Sequence, residues 1–210
     1  MMYMDWSIPK KMIATLVVIL VLLGFWGLPA ASAQEGTMPT KGLRKLGFTF
    51  AYGNQDLLAV DYHYRFGAIN LQYYHGLINR RNWDLELLVQ PLLVSTRFIS
   101  LRDINDRRRG FEFGANLSIL ARKKLWEDRL SCYAYVGYGP HFVNDVIERQ
   151  REGFLFTNNY FVGVDIRLEK NLVLDLSYGF RHISNDNQMQ PNAGVNNVVY
   201  TLGFILDWPQ

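Results

Sequence analysis

Apolar and polar side chains alternate along most of the chain after Lys45. In residues 172–181, leucine or an aromatic residue occupies every even position, and the odd positions include Asp175, Ser177 and Arg181. Residues 198–208 repeat the pattern, again with apolar even positions. Successive side chains of a β-strand point to opposite faces, so a period of two indicates strands with one apolar face. The pattern therefore predicts an all-β chain.

The alternating segments predict eight strands. They lie at residues 46–53, 57–78, 82–101, 110–122, 130–142, 154–168, 171–184 and 195–208. The second segment is long, and its apolar positions change parity at Gly67. A β-bulge at Gly67 explains the change, because a bulge adds one residue and glycine is common there. Dividing the segment in two would give nine strands, an odd number that single-chain bacterial barrels avoid.

A soluble β-sandwich also alternates, but three features favour a membrane barrel. The strands exceed the five or six residues that are usual in globular proteins. The apolar faces end in aromatic residues, as at Tyr178, Phe180 and Trp208, which is typical of interfacial girdles. The opposite faces carry more polar groups than a sandwich core tolerates without partners. We therefore predict an eight-stranded antiparallel outer-membrane β-barrel over residues 46–210.

The connections agree with this barrel. With both chain ends in the periplasm, the outer connections are residues 54–56, 102–109, 143–153 and 185–194, and the inner turns are 79–81, 123–129 and 169–170. Longer outer connections are typical of outer-membrane barrels. Side chains fill the interior of eight strands, so function is expected at the rim, the loops or the outer wall. Interior ion pairs are expected from Asp61, Arg65, Asp84, Glu86, Glu112, Asp165 and Arg167.

The first segment, residues 1–33, is typical of a secretory signal peptide. Lys10 and Lys11 precede an uncharged apolar run, and the small residues at 31–33 form a cleavage site before Gln34. An uncleaved transmembrane anchor is the alternative, because the apolar run is nearly long enough to span a membrane. Residues 34–45 are predicted to be an N-terminal leader.

Composition excludes several classes. Of 210 residues, 14% are aromatic and 20% are charged, which is too apolar for disorder and too polar for a bundle of membrane helices. A net charge of +3 is too small to indicate nucleic acid. The single Cys132 excludes an internal disulfide and an all-cysteine metal site. His63, His75 and His141 lack the spacing of metal ligands, so neither a metal nor another cofactor is expected.

The richest chemistry lies where the seventh strand ends. His182 and Ser184 share the parity of the apolar residues 172–180, so both are expected to face lipid near the outer leaflet. Asn196 has the parity of the apolar face of the last strand and is expected beside them. A serine nucleophile needs a base within hydrogen-bond reach and a group that orients that base. The alternative is that these polar residues simply begin a solvated loop.

Residues 182–185 (His-Ile-Ser-Asn) and 191–196 (Pro-Asn-Ala-Gly-Val-Asn), followed by a final alternating strand, resemble the lipid A 3-O-deacylase family of PagL-like acyloxyacyl hydrolases. The resemblance implies an outer-membrane serine esterase that removes the hydroxyacyl chain ester-linked at position 3 of lipid A. It implies Ser184 as nucleophile and His182 as general base. The oxyanion would be stabilised around Asn185 and Asn192, and Gly194 would allow the loop its turn.

One position departs from the family's pattern. The family has a glutamate as third member of the catalytic triad, and the matching residue here is Asn196. An amide oxygen can orient the imidazole, but it cannot stabilise the imidazolium as a carboxylate does. Asp186 is nearby and is an alternative third member. The alternative function is therefore a non-catalytic outer-membrane barrel with a structural or adhesion role.

The predicted second outer connection adds a candidate substrate contact. Arg102, Arg107, Arg108 and Arg109 could bind lipopolysaccharide phosphates, for which arginine is well suited, or form a solvated charged loop. The expected partner is lipopolysaccharide in the bacterial outer membrane, with the active site at the outer leaflet. The sequence leaves a homodimer open.

Overall fold

The structure is a computed structural model that describes residues 44–126 and 129–208. The predicted signal peptide lies outside the described residues, as does the predicted leader except for its last two positions, which begin the first strand. No helix in the described part of the chain has the length and hydropathy needed to cross a membrane.

Eight antiparallel strands form a closed barrel in chain order, which confirms the predicted fold. They are β1 (Arg44–Asn54), β2 (Tyr64–Asn79), β3 (Trp83–Ile99), β4 (Arg107–Lys124), β5 (Leu130–Val143), β6 (Gly153–Glu169), β7 (Leu172–Ser184) and β8 (Val195–Trp208). β1 pairs with both β2 and β8, so the sheet has no free edge. The outer connections are L1 (55–63), L2 (100–106), L3 (144–152) and L4 (185–194), and three shorter turns join the strands at the other end.

Exposure alternates along the strands and identifies the outer wall. On β8, the side chains at the even positions from Tyr200 to Leu206 are 42–49% exposed, whereas Gly203 and Ile205 are buried. Apolar side chains exposed around a closed barrel are what contact with lipid requires. The predicted lipid-facing side of the last strand is therefore confirmed.

Paired charges and aromatic rings fill the interior. Arg122 donates to Glu86 (Nη2 to Oε2, 3.0 Å) and pairs with Asp165, and its guanidinium lies 5.1 Å from the ring centre of Tyr133. Nearer L1, Glu112 pairs with Arg181 and accepts from the hydroxyl of Tyr64 at 2.7 Å. Buried charges are costly unless they are paired, and these networks satisfy them. Asp84 also pairs inside, with Lys124 at 3.2 Å.

Two of the predicted interior charges are not in the interior. Asp61 and Arg65 are exposed, and Arg65 pairs with the equally exposed Asp56. Asp61 lies in L1, because β2 begins at Tyr64 and not at 57. Arg65 lies in β2 but points outward, because its neighbours Tyr64 and Phe66 are the residues that point into the barrel. Arg167 is half-buried and pairs with Asp207 at 2.7 Å.

The predicted bulge at Gly67 is also wrong. The pairing of β2 with β1 runs through Gly67 without a shift, and the irregularity in β2 lies further along, between Gly76 and Ile78. The change of parity instead reflects a change of face: the apolar residues of β2 before Gly67 point into the barrel, and those after it point outward. Tyr64 and Phe66 are buried inside the barrel near the rim, whereas the apolar residues that follow Gly67, such as Leu71, lie on the outer wall.

Candidate active site

His182 and Ser184 lie at the outer end of β7, where L4 begins. Both have the outward parity of Leu176 and Tyr178 on the same strand, as predicted. Tyr178 is 44% exposed, but Ser184 is only 7% exposed and His182 is half-buried. This part of the outer wall is therefore covered largely by neighbouring protein groups.

The imidazole of His182 is oriented by Asn196. The two residues are cross-strand partners on β7 and β8, and Nδ1 of His182 lies 2.6 Å from Oδ1 of Asn196. An amide oxygen can only accept, so Nδ1 carries the hydrogen and Nε2 is the basic nitrogen of the neutral ring. This hydrogen goes to Asn196 and not to Asp186, the alternative third member, which is exposed in L4.

Tyr62 of L1 fixes the backbone of Asn196. The Asn196 N–H donates to the Tyr62 hydroxyl at 2.7 Å, and this hydroxyl donates to the Asn196 carbonyl at 3.2 Å. Tyr62 is 2% exposed, and burial raises its pKa, so the hydroxyl keeps its proton at neutral pH. The loop before β2 therefore supports the residue that orients the imidazole.

Arg149 of L3 joins three outer loops beside this contact. Its guanidinium lies 4.8 Å from the ring centre of Tyr62, which is a cation–π distance. Nη2 donates to the carbonyl of Ala193 in L4 at 3.3 Å, and Nη1 lies 3.4 Å from Asp61 in L1. One side chain thus connects L1, L3 and L4 next to the His182–Asn196 pair.

A short backbone ladder holds L4 against L3. Arg151 N–H donates to the Pro191 carbonyl at 2.8 Å, and Ala193 N–H donates to the Arg149 carbonyl at 2.9 Å. The buried side chain of Gln150 accepts from Gly194 N–H at 3.1 Å. These contacts fix the path of L4 as it returns to β8.

Gly194 packs directly against the imidazole. A Cβ at this position would lie 2.4 Å from Cε1 of His182, and the backbone has φ +67°. Both the space and the left-handed conformation require glycine here. Gly194 therefore lets the backbone of L4 pass close to the ring.

Asparagine side chains hold the beginning of L4. Asn185 N–H donates to Oδ1 of Asn192 at 2.9 Å, and Nδ2 of Asn192 donates to Oδ1 of Asn187 at 2.8 Å. Nδ2 of Asn185 donates to the Met189 carbonyl at 2.6 Å. The predicted oxyanion residues Asn185 and Asn192 thus bond to each other in the loop, and each side-chain amide has a second hydrogen that these bonds do not use.

Aromatic side chains lie next to the serine. Phe156 on β6 is the cross-strand partner of Ser184. Its ring stacks on Tyr138 with centres 5.2 Å apart and meets Phe154 edge-on at 5.1 Å. This apolar surface continues the lipid-facing wall beside the hydroxyl.

Four contributors to the site are absent from the sequence prediction. Asn158 lies on the outward face of β6 as the other cross-strand neighbour of His182, and its parity along β6 could have indicated this. Tyr62, Arg149 and Gln150 reach the site from other loops, and no local pattern identifies them as site residues.

The four arginines predicted to bind phosphate do not form one group. β4 begins at Arg107, so Arg107, Arg108 and Arg109 lie in a strand, and their prediction as loop residues was wrong. Arg107 and Arg109 are exposed, Arg108 is half-buried on the opposite face, and Arg102 is exposed in L2. Substrate binding by these residues stays a prediction.

Arg108 and Glu148 instead join L2 to L3. Arg108 pairs with Asp145 and, at 3.5 Å, with Oε1 of Glu148. Glu148 also accepts from Ser100 Oγ at 2.6 Å and from Leu101 N–H at 2.9 Å. Burial opposes the ionisation of Glu148, but these hydrogen bonds outweigh it and hold its pKa below the usual value.

The remaining histidines make other contacts. Nδ1 of His63 lies 3.2 Å from the amide nitrogen of Gln55 in L1, and His141 lies inside the barrel near Asn116 and Thr157. Within residues 44–126 and 129–208, no three His, Cys, Asp or Glu side chains are grouped to hold a metal ion.

Comparison with solved structures finds outer-membrane proteins that are similar over most of the chain. The crystal structure of the outer membrane enzyme PagL is similar with a TM-score of 0.53 and 12% identity, covering 78% of this chain and 99% of that chain. Ail, the attachment invasion locus protein of Yersinia pestis, is similar with a TM-score of 0.47 and 16% identity, covering 80% of this chain and 99% of that chain. Neisserial surface protein A is similar with a TM-score of 0.46 and 12% identity, covering 83% of this chain and 100% of that chain. At 12% identity, the similarity to the PagL structure bears on the fold alone. No curated protein matches the chain.

A family model described as lipid A 3-O-deacylase (PagL) matches residues 67–204. The matched segment begins in β2, ends in β8 and contains His182, Ser184, Asn196 and all of L4. The fold and the family place the barrel in the bacterial outer membrane. The chain belongs to the lipid A 3-O-deacylase (PagL) family.

Proposed function

We propose that the chain is a serine esterase that removes the 3-O-linked hydroxyacyl chain from lipid A in the outer leaflet. The observation that carries the proposal is the hydrogen bond of 2.6 Å between His182 Nδ1 and Asn196 Oδ1, on the same outward face as Ser184. This bond orients a neutral imidazole with its basic nitrogen unprotonated, which is what a general base requires. Family membership supplies the substrate class.

In the first step, Oγ of Ser184 attacks the ester carbonyl carbon while its proton passes to Nε2 of His182. The resulting tetrahedral intermediate collapses as the bond to the sugar oxygen breaks. That oxygen takes the proton from Nε2, and the hydroxyacyl chain remains as an ester of Ser184.

Water completes the cycle. It attacks the acyl-serine carbonyl, and Nε2 of His182 accepts its proton. Ser184 then leaves as the hydroxyl after taking that proton back, and a free hydroxy fatty acid is released. The products are this acid and lipid A lacking one acyl chain.

The side-chain amides of Asn185 and Asn192 are the proposed oxyanion donors. Each amide has one hydrogen engaged within L4 and a second for an external acceptor. Donors held in place before the reaction stabilise the developing charge without a reorganisation cost. Gly194 contributes by bringing the chain of L4 close to the imidazole.

The outward position of the site suits a substrate that stays in the membrane. Phe156, Tyr138 and Phe154 form an apolar surface beside Ser184, along which an acyl chain can lie. The sugar headgroup would then face L3 and L4 at the rim. Both parts of an amphiphilic ester are accommodated without a deep pocket.

Mass spectrometry of lipid A tests the proposal. Lipopolysaccharide is treated with the purified, folded protein in detergent micelles, so that sequestration in the cell does not mask activity. We expect the mass of lipid A to fall by one hydroxyacyl group, and Ser184→Ala to reduce the rate at least about 10³-fold.

Ser177→Ala is the matched control. Ser177 lies on the same strand but has the opposite parity and shares a hydrogen bond with Thr201. This variant is expected to keep full activity. An unchanged lipid A profile with correctly folded wild-type protein would refute the esterase and leave a non-catalytic barrel.

A further inference from the structure

Three arginines lie side by side on the outer wall, where β2, β3 and β4 reach the outer rim. Arg65 is the cross-strand partner of Arg97, and Arg97 is the partner of Arg109. All three are exposed, whereas Phe98 on the opposite face is 3% exposed, so the arginines point away from the interior. Arg107, two residues before Arg109, lies on the same face. We name Arg65, Arg97 and Arg109 the arginine row.

Little negative charge balances this row. Asp56 lies 3.2 Å from Arg65, and both of these side chains are about half exposed to solvent. Within the described part of the chain, no carboxylate forms an ion pair with Arg97, Arg107 or Arg109. Like charges directly opposite each other on neighbouring strands repel, because their Cβ atoms are only about 5 Å apart. An anionic ligand would relieve this repulsion.

The wall below the row has the shape and polarity of a lipid-binding surface. Gly67, Ser95 and Phe111 form the next outward row, and a Cβ at Gly67 would meet no atom within 4 Å, so there is open space at Gly67, two residues along β2 from Arg65. In the row beyond them, Ile69, Leu93 and Phe113 are 45–66% exposed. The arginine row therefore lies above an outward row that is open at Gly67, and an apolar wall follows.

We propose that the arginine row binds the phosphate groups of a lipopolysaccharide molecule, whose acyl chains lie along the apolar wall below. The guanidinium fork matches phosphate oxygens in a bidentate manner and stays charged at all physiological pH values. β3 stands four strands from β7 in the closed barrel, so this lipid site is on the wall opposite the candidate active site. It does not depend on the proposed hydrolysis.

Native mass spectrometry of the folded chain tests the site. The Ser184→Ala form is used so that bound lipid is not consumed, and the probes are lipopolysaccharide and the same lipid after enzymatic removal of its phosphates. We expect phosphorylated lipid to bind at least about tenfold more tightly than dephosphorylated lipid, since each charge-assisted contact contributes roughly that factor. Arg97→Gln/Arg109→Gln should abolish the difference and lower the number of bound lipids by one.

Arg80→Gln/Arg81→Gln is the matched control, because it removes the same charge from an exposed turn at the other end of the barrel. It should bind like the parent. Gly67→Leu is an independent test that fills the open space without changing charge, and it should also weaken binding. Heat-modifiable gel mobility selects the folded variants.

Two results would overturn the proposal. One is equal affinity for phosphorylated and dephosphorylated lipid. The other is displacement of the lipid by millimolar inorganic phosphate at constant ionic strength, which would make the free ion the ligand. Failure of the proposed esterase leaves this measurement unaffected, because a folded but inactive barrel would still lose one lipid with the arginine variants.

Discussion

Replacing Asn196 by aspartate tests the proposed role of the His182–Asn196 pair most sharply. The substitution keeps the side-chain length and replaces the amide nitrogen by oxygen, so the contact of 2.6 Å with Nδ1 can remain. When Ser184 gives its proton to the ring, the contact becomes an ion pair in Asn196→Asp, whereas in the wild type it joins the imidazolium to a neutral amide. A carboxylate stabilises this state, and an amide does so much less.

The magnitude follows from the geometry. Hydrogen bonds to a charged group contribute roughly 1.5–3 kcal/mol, whereas neutral ones contribute about 0.5–1.5 kcal/mol. The aspartate should therefore stabilise the protonated ring by about 1–1.5 kcal/mol more than the asparagine does, which is roughly a tenfold increase in rate. Coulomb's law at 4 Å and an effective dielectric of 20 gives an upper limit of about 4 kcal/mol, which burial of the new carboxylate reduces. Arg149, in contact with Tyr62 beside Asn196, partly offsets that burial cost.

The assay is the release of hydroxy fatty acid from lipopolysaccharide in micelles, measured as kcat/KM. Asn196→Asp is expected to raise it about tenfold. Asn196→Glu, which restores the family's residue with one more methylene, is expected to raise it as well. Asn196→Ala should lower it about tenfold, because the ring loses its orienting acceptor.

The reasoning is refuted if folded Asn196→Asp and Asn196→Glu are no faster than wild type while Asn196→Ala is no slower. That result would mean that Asn196 does not orient the catalytic base. Heat-modifiable mobility of each variant separates such a result from misfolding.

Three further predictions concern the groups around the pair. Gly194→Ala should reduce activity at least about tenfold without unfolding the barrel, because its Cβ would lie 2.4 Å from the imidazole. Gly67→Ala is the control and should leave activity unchanged, because a Cβ at Gly67 would meet no atom within 4 Å. Tyr62→Phe should cost about fivefold in kcat, since it removes the hydroxyl that holds both backbone groups of Asn196; an unchanged kcat would contradict this. Glu148 has a lowered pKa, so its stabilisation of L2 is complete above the usual glutamate range and is lost as pH falls through the lowered value. Hydrogen exchange of L2 amides should therefore accelerate in acid, and Glu148→Gln should remove that dependence.

The sequence predicts the barrel well because the two-residue alternation of apolar and polar side chains determines the strands and their outward face. β1, β3 and β5 to β8 begin and end within two residues of prediction, since the alternation of each strand marks its extent. The predicted start of β2 is wrong for a physical reason. Tyr62 continues the alternation of Tyr64 and Phe66 although it lies in L1, because it is buried against Asn196 and not in a strand.

The candidate site is predictable only where it is local. His182 and Ser184 are two apart on one strand, and Asn196 has a matching parity on the next, so their shared face follows from periodicity. The support from Tyr62 and Arg149 could not be predicted, because it depends on contacts between loops that are distant in sequence. The strand pattern places Asn196 beside the imidazole, and folding of the loops determines what supports Asn196.

The filled interior has a consequence for how a substrate arrives. Because side chains close the lumen and Ser184 lies on the outward face of β7, the substrate of the proposed esterase would reach the site by lateral diffusion within one leaflet. Encounter then takes place in two dimensions, and the relevant concentration is the number of lipids per unit area of membrane. Dilution with inert lipid should slow turnover, whereas a change in the aqueous volume around the same membranes should leave it unaltered.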